Sequence, residues 1–406
     1  MQENNGFNIR KDRKVLIFII CYFAYTTIYI ARLNLSMASP CLKESGILNS
    51  AQIGIIGGLF SIIYAIGRLI NGVLSDIKPP SCIICIGLFG VGISNILIGF
   101  LPHFNGILLL WCANAFAQSM LWSSILRIIS NIFVPSAAKR INSYMVTSVA
   151  TGNVLGILIG SFLVEKYGLR YAFMLPGILA VFSGIMVILI TSRINIQSNT
   201  RKSFSLQTLL KNRELCKSIV PAMCHGVVKD NISLWMTLFF VSKFNIDLAS
   251  TTYFVLFIPI VGFIGRLLYP PIFRVFRENE HTVSFFAFII IIIFSCLLCF
   301  SKISPTLAVI ALSCIYASVS LINTSFLSVF PVSFAKNGNV ASVSGIMDFS
   351  TYLGAGIGSL TYGFLIEHFG FSSMFVSWVF ISVISLFSLK NLKKHFENGD
   401  SYNEYD

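Results

Sequence analysis

Five basic residues stand inside long apolar runs: Arg32, Arg68, Arg127, Lys229 and Arg266. A cation at the centre of a hydrocarbon layer costs roughly 2.5–3.5 kcal/mol on insertion scales, so each needs a partner, a route to water or a function. Arg68, Arg127 and Arg266 fall within about two helical turns of the ends of their runs, from where a long side chain reaches the interface or joins an ion pair at a gate. Lys229 lies about twelve residues from either end of its run, so it meets water only through an interior cavity. Asp230 is the adjacent acid, but neighbours on a helix point about 100° apart. Asp348 is a second candidate, either as an ion-pair partner or as a proton-binding carboxylate. Tyr25, Tyr29 and Arg32 are spaced by four and three, and His225 and Lys229 by four, so each set shares one helix face. Two cations with hydroxyls beside them suit a divalent anion, and a phosphate monoester carries about −1.5 to −2 charge with several strong acceptors. The competing reading of the tyrosines is that of ring hydroxyls at a lipid interface.

The elements that must hold these residues follow from composition. The chain has 406 residues, of which 55% are hydrophobic and 11% charged, against roughly 25% charged in a soluble domain. The apolar residues fall in continuous runs rich in Phe, Ile and Leu, long enough to cross about 30 Å of hydrocarbon and without the alternation of a barrel strand. They predict helical spans near 15–38, 51–74, 81–101, 106–130, 140–164 and 171–192, then near 217–242, 250–273, 283–301, 304–331, 338–366 and 371–390. The expected fold is an all-α polytopic membrane protein: twelve transmembrane helices in two six-helix halves. The first half is residues 1–192, a polar linker runs over 193–216, the second half is 217–390, and a tail follows from 391 to 406. No cleavable signal peptide is expected, because the first fourteen residues are polar and the first apolar run lacks a cleavage pattern. Of the 29 basic residues, 19 fall on the side holding the termini, the linker and alternate loops, and five on the other; that bias places both termini in the cytoplasm. It also accounts for the net charge of +13 and leaves no basic soluble face for nucleic acid. The ten cysteines lie mostly in apolar runs, and the pairs Cys82/Cys85 and Cys296/Cys299 lack the His or acidic neighbours of a metal site.

The two halves repeat one design. Gly156, Glu165 and Gly168 match Gly358, Glu367 and Gly370 at an offset of 202, and Gly67-Arg68-Leu69 matches Gly265-Arg266-Leu267 at an offset of 198. Parallel six-span repeats imply a pseudo-two-fold axis along the membrane normal and a substrate site near the midplane. Arg32 in the first helix of one half and Lys229 in the first helix of the other are then expected to converge on one anion.

The loop after the second run reads Gly72-Val-Leu-Ser-Asp-Ile-Lys-Pro. It is similar to the G-x-L-[SA]-D-R-x-G signature of the major facilitator superfamily, with Asp76 and Lys78 in place and Pro where the second Gly stands. That resemblance implies a conformational latch for Asp76 and Lys78, while Arg127 is a further gate candidate by its position near the end of its run. The segments Tyr-Ile-Ala-Arg32-Leu-Asn-Leu-Ser-Met-Ala-Ser-Pro, Ile-Tyr-Ala-Ile-Gly-Arg68-Leu-Ile-Asn-Gly-Val-Leu-Ser-Asp76, Gln118-Ser-Met-Leu-Trp122 and Tyr352-Leu353-Gly354 resemble the glycerol-3-phosphate and hexose-6-phosphate transporters, the organophosphate:phosphate antiporters of that superfamily. The resemblance implies that Arg32 and Lys229 bind the substrate phosphate, with Tyr25, Tyr29 and Arg68 lining the site. It implies rocker-switch exchange of an organic phosphate for inorganic phosphate, by a monomer in a bacterial inner membrane, without cofactor or metal.

The departures are specific. Lys229 stands where the family often has Arg, losing bidentate geometry though not charge. The fifth-span signature has a His that this chain lacks, since its stretch reads Thr151-Gly152-Asn153-Val154-Leu155-Gly156, so either His225 substitutes from the seventh span or the substrate differs. Two rivals stay open: a proton-coupled carrier of another organic anion using Asp230 or Asp348, and a sugar-phosphate sensor of the same fold. An enzyme is not expected, because no soluble segment carries a catalytic triad, a phosphate-cradling glycine loop or a metal cluster.

Overall fold

The structure is a computed structural model, and it describes residues 11–101, 103–133, 135–191, 212–300, 302–331, 333 and 340–397. The first seven helices are α1 (Lys11–Glu44), α2 (Ser50–Ile77), α3 (Pro80–Ile98), α4 (Phe104–Ser119), α5 (Leu121–Ile132), α6 (Pro135–Tyr167) and α7 (Leu169–Thr191). The next seven are α8 (Arg213–Phe244), α9 (Leu248–Leu267), α10 (Tyr269–Val275), α11 (Glu280–Leu298), α12 (Pro305–Thr324), α13 (Val340–Phe369) and α14 (Phe371–Glu397). No strand occurs among the described residues. The fourth expected span is two helices broken at Met120, the eighth is broken at Leu268 before Pro270, and the tenth passes into a π-turn at Ser325–Val329. The expected linker lies mostly outside the described residues, and the last helix runs beyond the apolar segment to Glu397.

Ten helical segments are long and apolar enough to cross a membrane among the described residues. The other two long helices, α8 with 32 residues and α13 with 30, have ample length but are too polar to qualify. They carry Lys229 and Asp230 in one case and Asp348 in the other, and they pack on each other. A polar span is stable when its polar side faces protein rather than lipid, which is how these two are used.

Helix starts are set by short polar side chains. Asn49 accepts from Gln52 N at 2.8 Å while Gln52 Oε1 accepts from Asn49 N at 3.0 Å, a complete capping box. Asn212, Asn279 and Ser304 cap α8, α11 and α12 by the simpler half of this arrangement, each side-chain oxygen accepting from the backbone N–H three residues on.

The described residues group into two compact units: α1–α7 with residues 246–252, and the remainder from α8 onward. In the first, α1 packs on α6 and α7, and α3 on α4 and α7; in the second, α8 packs on α13 and α14, and α11 on α12 and α14. The glycines matched in sequence carry matched roles in each unit's own frame. Gly168 and Gly370 both sit at positive φ (81° and 73°) and donate N–H to the carbonyl four residues back, Val164 and Ile366, each at 3.1 Å. Both end a long helix so that the next can start at once, a left-handed position that a side chain resists. Gly67 packs on Ser119, and Gly265 packs on Ala317, which stands 198 residues after Ser119. Gly152 and Gly156 of α6 meet Thr26 and Ile30 of α1, while Gly354 and Gly358 of α13 meet Met223 and Val227 of α8. The contacts on α8 are those on α1 shifted by 197. At that offset Arg32 corresponds to Lys229.

Candidate functional site

In the first unit the site is built on α1 and α2. Phe60, Tyr64 and Arg68 recur every fourth residue, so they rise along one face of α2. The Arg32 guanidinium carbon lies 4.8 Å from the Phe60 ring centre, 5.2 Å from that of Tyr64 and 6.0 Å from that of Tyr29. Arg68, one turn further along α2, lies 5.9 Å from the Tyr64 ring centre. Phe60 and Tyr64 are buried while both arginines keep part of their surface exposed. Ring faces attract a cation while leaving N–H donors at the edge of its plane. The platform is itself supported, because Phe60 packs on Trp111 at 5.6 Å between ring centres. Tyr25 is buried between Tyr29 at 5.5 Å and Trp122 at 4.9 Å. Tyr22 adds a hydroxyl contact to Thr151 of α6 at 2.7 Å.

In the second unit Lys229 Nζ lies 4.9 Å from the ring centre of Tyr352 on α13 and 3.6 Å from Asp230 Oδ1. Helical geometry sets adjacent residues about 100° apart, but the flexible four-carbon stem of Lys bends across that angle. Both charged side chains are mostly buried, at 18% and 13% exposed, so the pair is held out of bulk water. Asp348 is half-buried one turn before Tyr352. His225, one turn before Lys229, is fully buried. Neither ring nitrogen makes a well-formed hydrogen bond, although the Val319 carbonyl of α12 stands beside it, and Lys229 and Arg266 are within electrostatic reach. In this conformation His225 is sealed inside the unit rather than open to solvent.

The gate residues divide. Arg127 Nη1 donates to the backbone carbonyl of Lys78 at 3.1 Å, and Lys78 is the C-cap of α2. A guanidinium at the negative end of a helix is favourably placed, and here it ties α5 to the end of α2. The side chain of Asp76 lies outside the described residues.

Helical spacing found Tyr25, Tyr29 and Arg32, yet it missed Phe60 and Tyr64, the two rings closest to Arg32. Their own spacing of four up to Arg68 was the available signal. Tyr352 was visible only as part of a resembling segment.

A profile described as Major Facilitator Superfamily matches residues 19–359. A "Probable hexose phosphate transport protein" of Chlamydia muridarum is 29% identical over 175 residues, which is 43% of this chain and 38% of that protein. The "Membrane sensor protein UhpC" of Salmonella typhimurium is 30% identical over 173 residues, 42% of this chain and 39% of that protein. The matched stretch therefore spans about two fifths of each of these curated relatives. Among solved structures, a bacterial homologue of the human lysosomal transporter Spinster superposes with a TM-score of 0.77 at 14% identity, covering 96% of this chain and 99% of the other.

Proposed function

Because this chain belongs to the major facilitator superfamily, a family that moves solutes rather than transforming them, we propose that it carries a phosphate monoester across a bacterial inner membrane in exchange for inorganic phosphate. The observation that carries the reading is Arg32 on its ring platform in one unit and Lys229, at the corresponding place, in the other. The similarity to hexose phosphate transport proteins, 29% identical over part of the chain, supports the choice of anion. Arg32 and Lys229 bind the phosphoryl group; Arg68, Tyr29 and Tyr25 line the approach; His225 joins when the surrounding helices move; Asp76, Lys78 and Arg127 act on the conformational exchange. Asp230 holds the Lys229 ammonium until the anion takes its place. Transport is by alternating access, with the linker 193–216, the tail 391–406 and both termini in the cytoplasm. The carrier works as a monomer.

Exchange is the distinguishing property. Proteoliposomes loaded with unlabelled phosphate are expected to take up labelled phosphate without any proton gradient, and a panel of phosphate esters should compete. Uptake that appears only with a proton gradient would replace this reading by proton coupling through Asp230 or Asp348. The 30% identity to a membrane sensor favours a second reading, a sugar-phosphate receptor of the same fold. Phosphate-ester binding without any counterflow is its mark.

Orientation is testable separately. Single cysteines placed in the 193–216 linker should react only with reagent on the cytoplasmic side, and those at Lys43 and Lys302 only from outside. Labelling of the linker from outside overturns the orientation.

A further inference from the structure

Arg32 and Lys229 are each followed two residues later by an asparagine, Asn34 and Asn231. Both asparagines are fully buried. Two positions along an α-helix amount to about 200° of rotation, so amide and cation leave the helix on nearly opposite sides. Asn231 uses both ends of its amide. Its Nδ2 donates to the Val227 carbonyl at 2.8 Å and approaches the Ala355 carbonyl of α13 at 3.5 Å. Its Oδ1 accepts from Trp235 Nε1 at 3.1 Å and from the Ser359 hydroxyl at 2.9 Å. A Cβ built on Gly358 would stand 2.9 Å from the same amide nitrogen, so α13 lays bare backbone against Asn231. In the first unit Asn34 Nδ2 donates to Oδ1 of the fully buried Asn95 on α3 at 2.8 Å, and Asn95 donates onward to the Val91 carbonyl at 2.9 Å. Away from water, a buried amide that loses its partner cannot be resolvated, so these bonds resist both rotation and sliding of the first helix.

We infer that Asn34 and Asn231 are the positioning residues of the two anion-binding cations. They fix α1 against α3 and α8 against α13 in the rotation that presents Arg32 and Lys229, an assignment that rests on the phosphate-site reading above. Neither amide touches the anion. Each acts through the cation two residues before it, and the Lys229 contact with Tyr352 depends on α8 keeping its rotation over α13.

The test uses the full chain in detergent with inorganic phosphate as the probe. Asn231→Ala, and separately Ser359→Ala, which loosens the same bond from the far helix, should weaken phosphate binding about 3–10-fold, the equivalent of one or two net hydrogen bonds. In a Lys229→Ala background Asn231→Ala should leave affinity unchanged while lowering Tm as much as it does in wild type. An asparagine that only holds the fold would lower Tm in both backgrounds and move affinity in neither, which overturns the inference; so does an equal loss of affinity in both. A readout free of phosphate completes the test: the rate at which a small thiosulfonate labels Lys229→Cys should change at least about threefold on adding Asn231→Ala or Ser359→Ala. An unchanged rate overturns the inference. If wild type binds no phosphate but the rate shifts, the phosphate reading falls and the positioning role stands.

Discussion

Phosphate affinity is expected to fall about 10²–10³-fold in Arg32→Ala and by a similar factor in Lys229→Ala, measured on purified, well-folded protein in detergent. Leaving a buried charge without its partner typically costs about 3–5 kcal/mol, which is roughly 10²–10³-fold or more in Kd. Neither cation alone neutralises a dianion where the surrounding dielectric is low. Arg32→Lys should also weaken binding, because an ammonium offers neither the planar fork nor the flat face that stacks on Phe60 and Tyr64. Lys229→Arg should be tolerated better, since the positive charge and the approach to Tyr352 are kept. The opposing account makes Lys229 a structural partner of Asp230, from which it stands 3.6 Å. On that account Lys229→Ala lowers expression, Asp230→Asn in the same chain restores it, and affinity is untouched. Single variants that fold well and keep affinity within about threefold of wild type would remove Arg32 and Lys229 from the anion site.

Gly226→Val should strongly destabilise the second unit. A Cβ at this position would run into the backbone of Thr351 on α13, and the atoms it meets are the carbonyl and its neighbours rather than a side chain that can turn aside. Gly354 makes the reciprocal approach from α13 to the backbone at Met223. Small residues at facing positions are how two helices come close when lipid supplies no hydrophobic drive to press them together. Overpacking in ordinary cores costs about 1–3 kcal/mol, and a backbone collision belongs above that range. The expected result is a Tm lowered by many degrees or loss of the monodisperse protein. Gly345→Ala is the control, because nothing lies within 4 Å of its Cβ position, and helix propensity makes it neutral or stabilising by about 0.5–1 kcal/mol. Equal Tm values for the two variants would mean that α8 and α13 do not pack as described.

The sequence carried the helical fold because its signals are local or periodic. Continuous apolar runs admit only helices in lipid, and the matched glycines at offsets of 198 and 202 proved to be matched packing and turn positions. The helix break at Met120 was not legible, since an apolar run hides a local change of hydrogen bonding, whereas the one at Leu268 had a signal in Pro270-Pro271 that the reading of one continuous span passed over. The two polar helices were read as spans like the rest, although their distinct character, a polar side turned to each other, was a property of their pairing.

For the site, spacing along one helix determined which residues share a face: Tyr25, Tyr29 and Arg32 on α1, His225 and Lys229 on α8. Tertiary structure decided everything that depends on what faces that side. It put Phe60 and Tyr64 under Arg32, buried Tyr25 against Trp122, sealed His225, and brought Lys229 to Tyr352 and Asp230. The physical reason is that helical periodicity fixes the direction of a side chain from its own axis, whereas contact requires a second helix whose rotation and height are set by its own buried groups. Gly354, Gly358 and Ser359 of α13 meet α8 in this way, and no spacing within α8 could have revealed them.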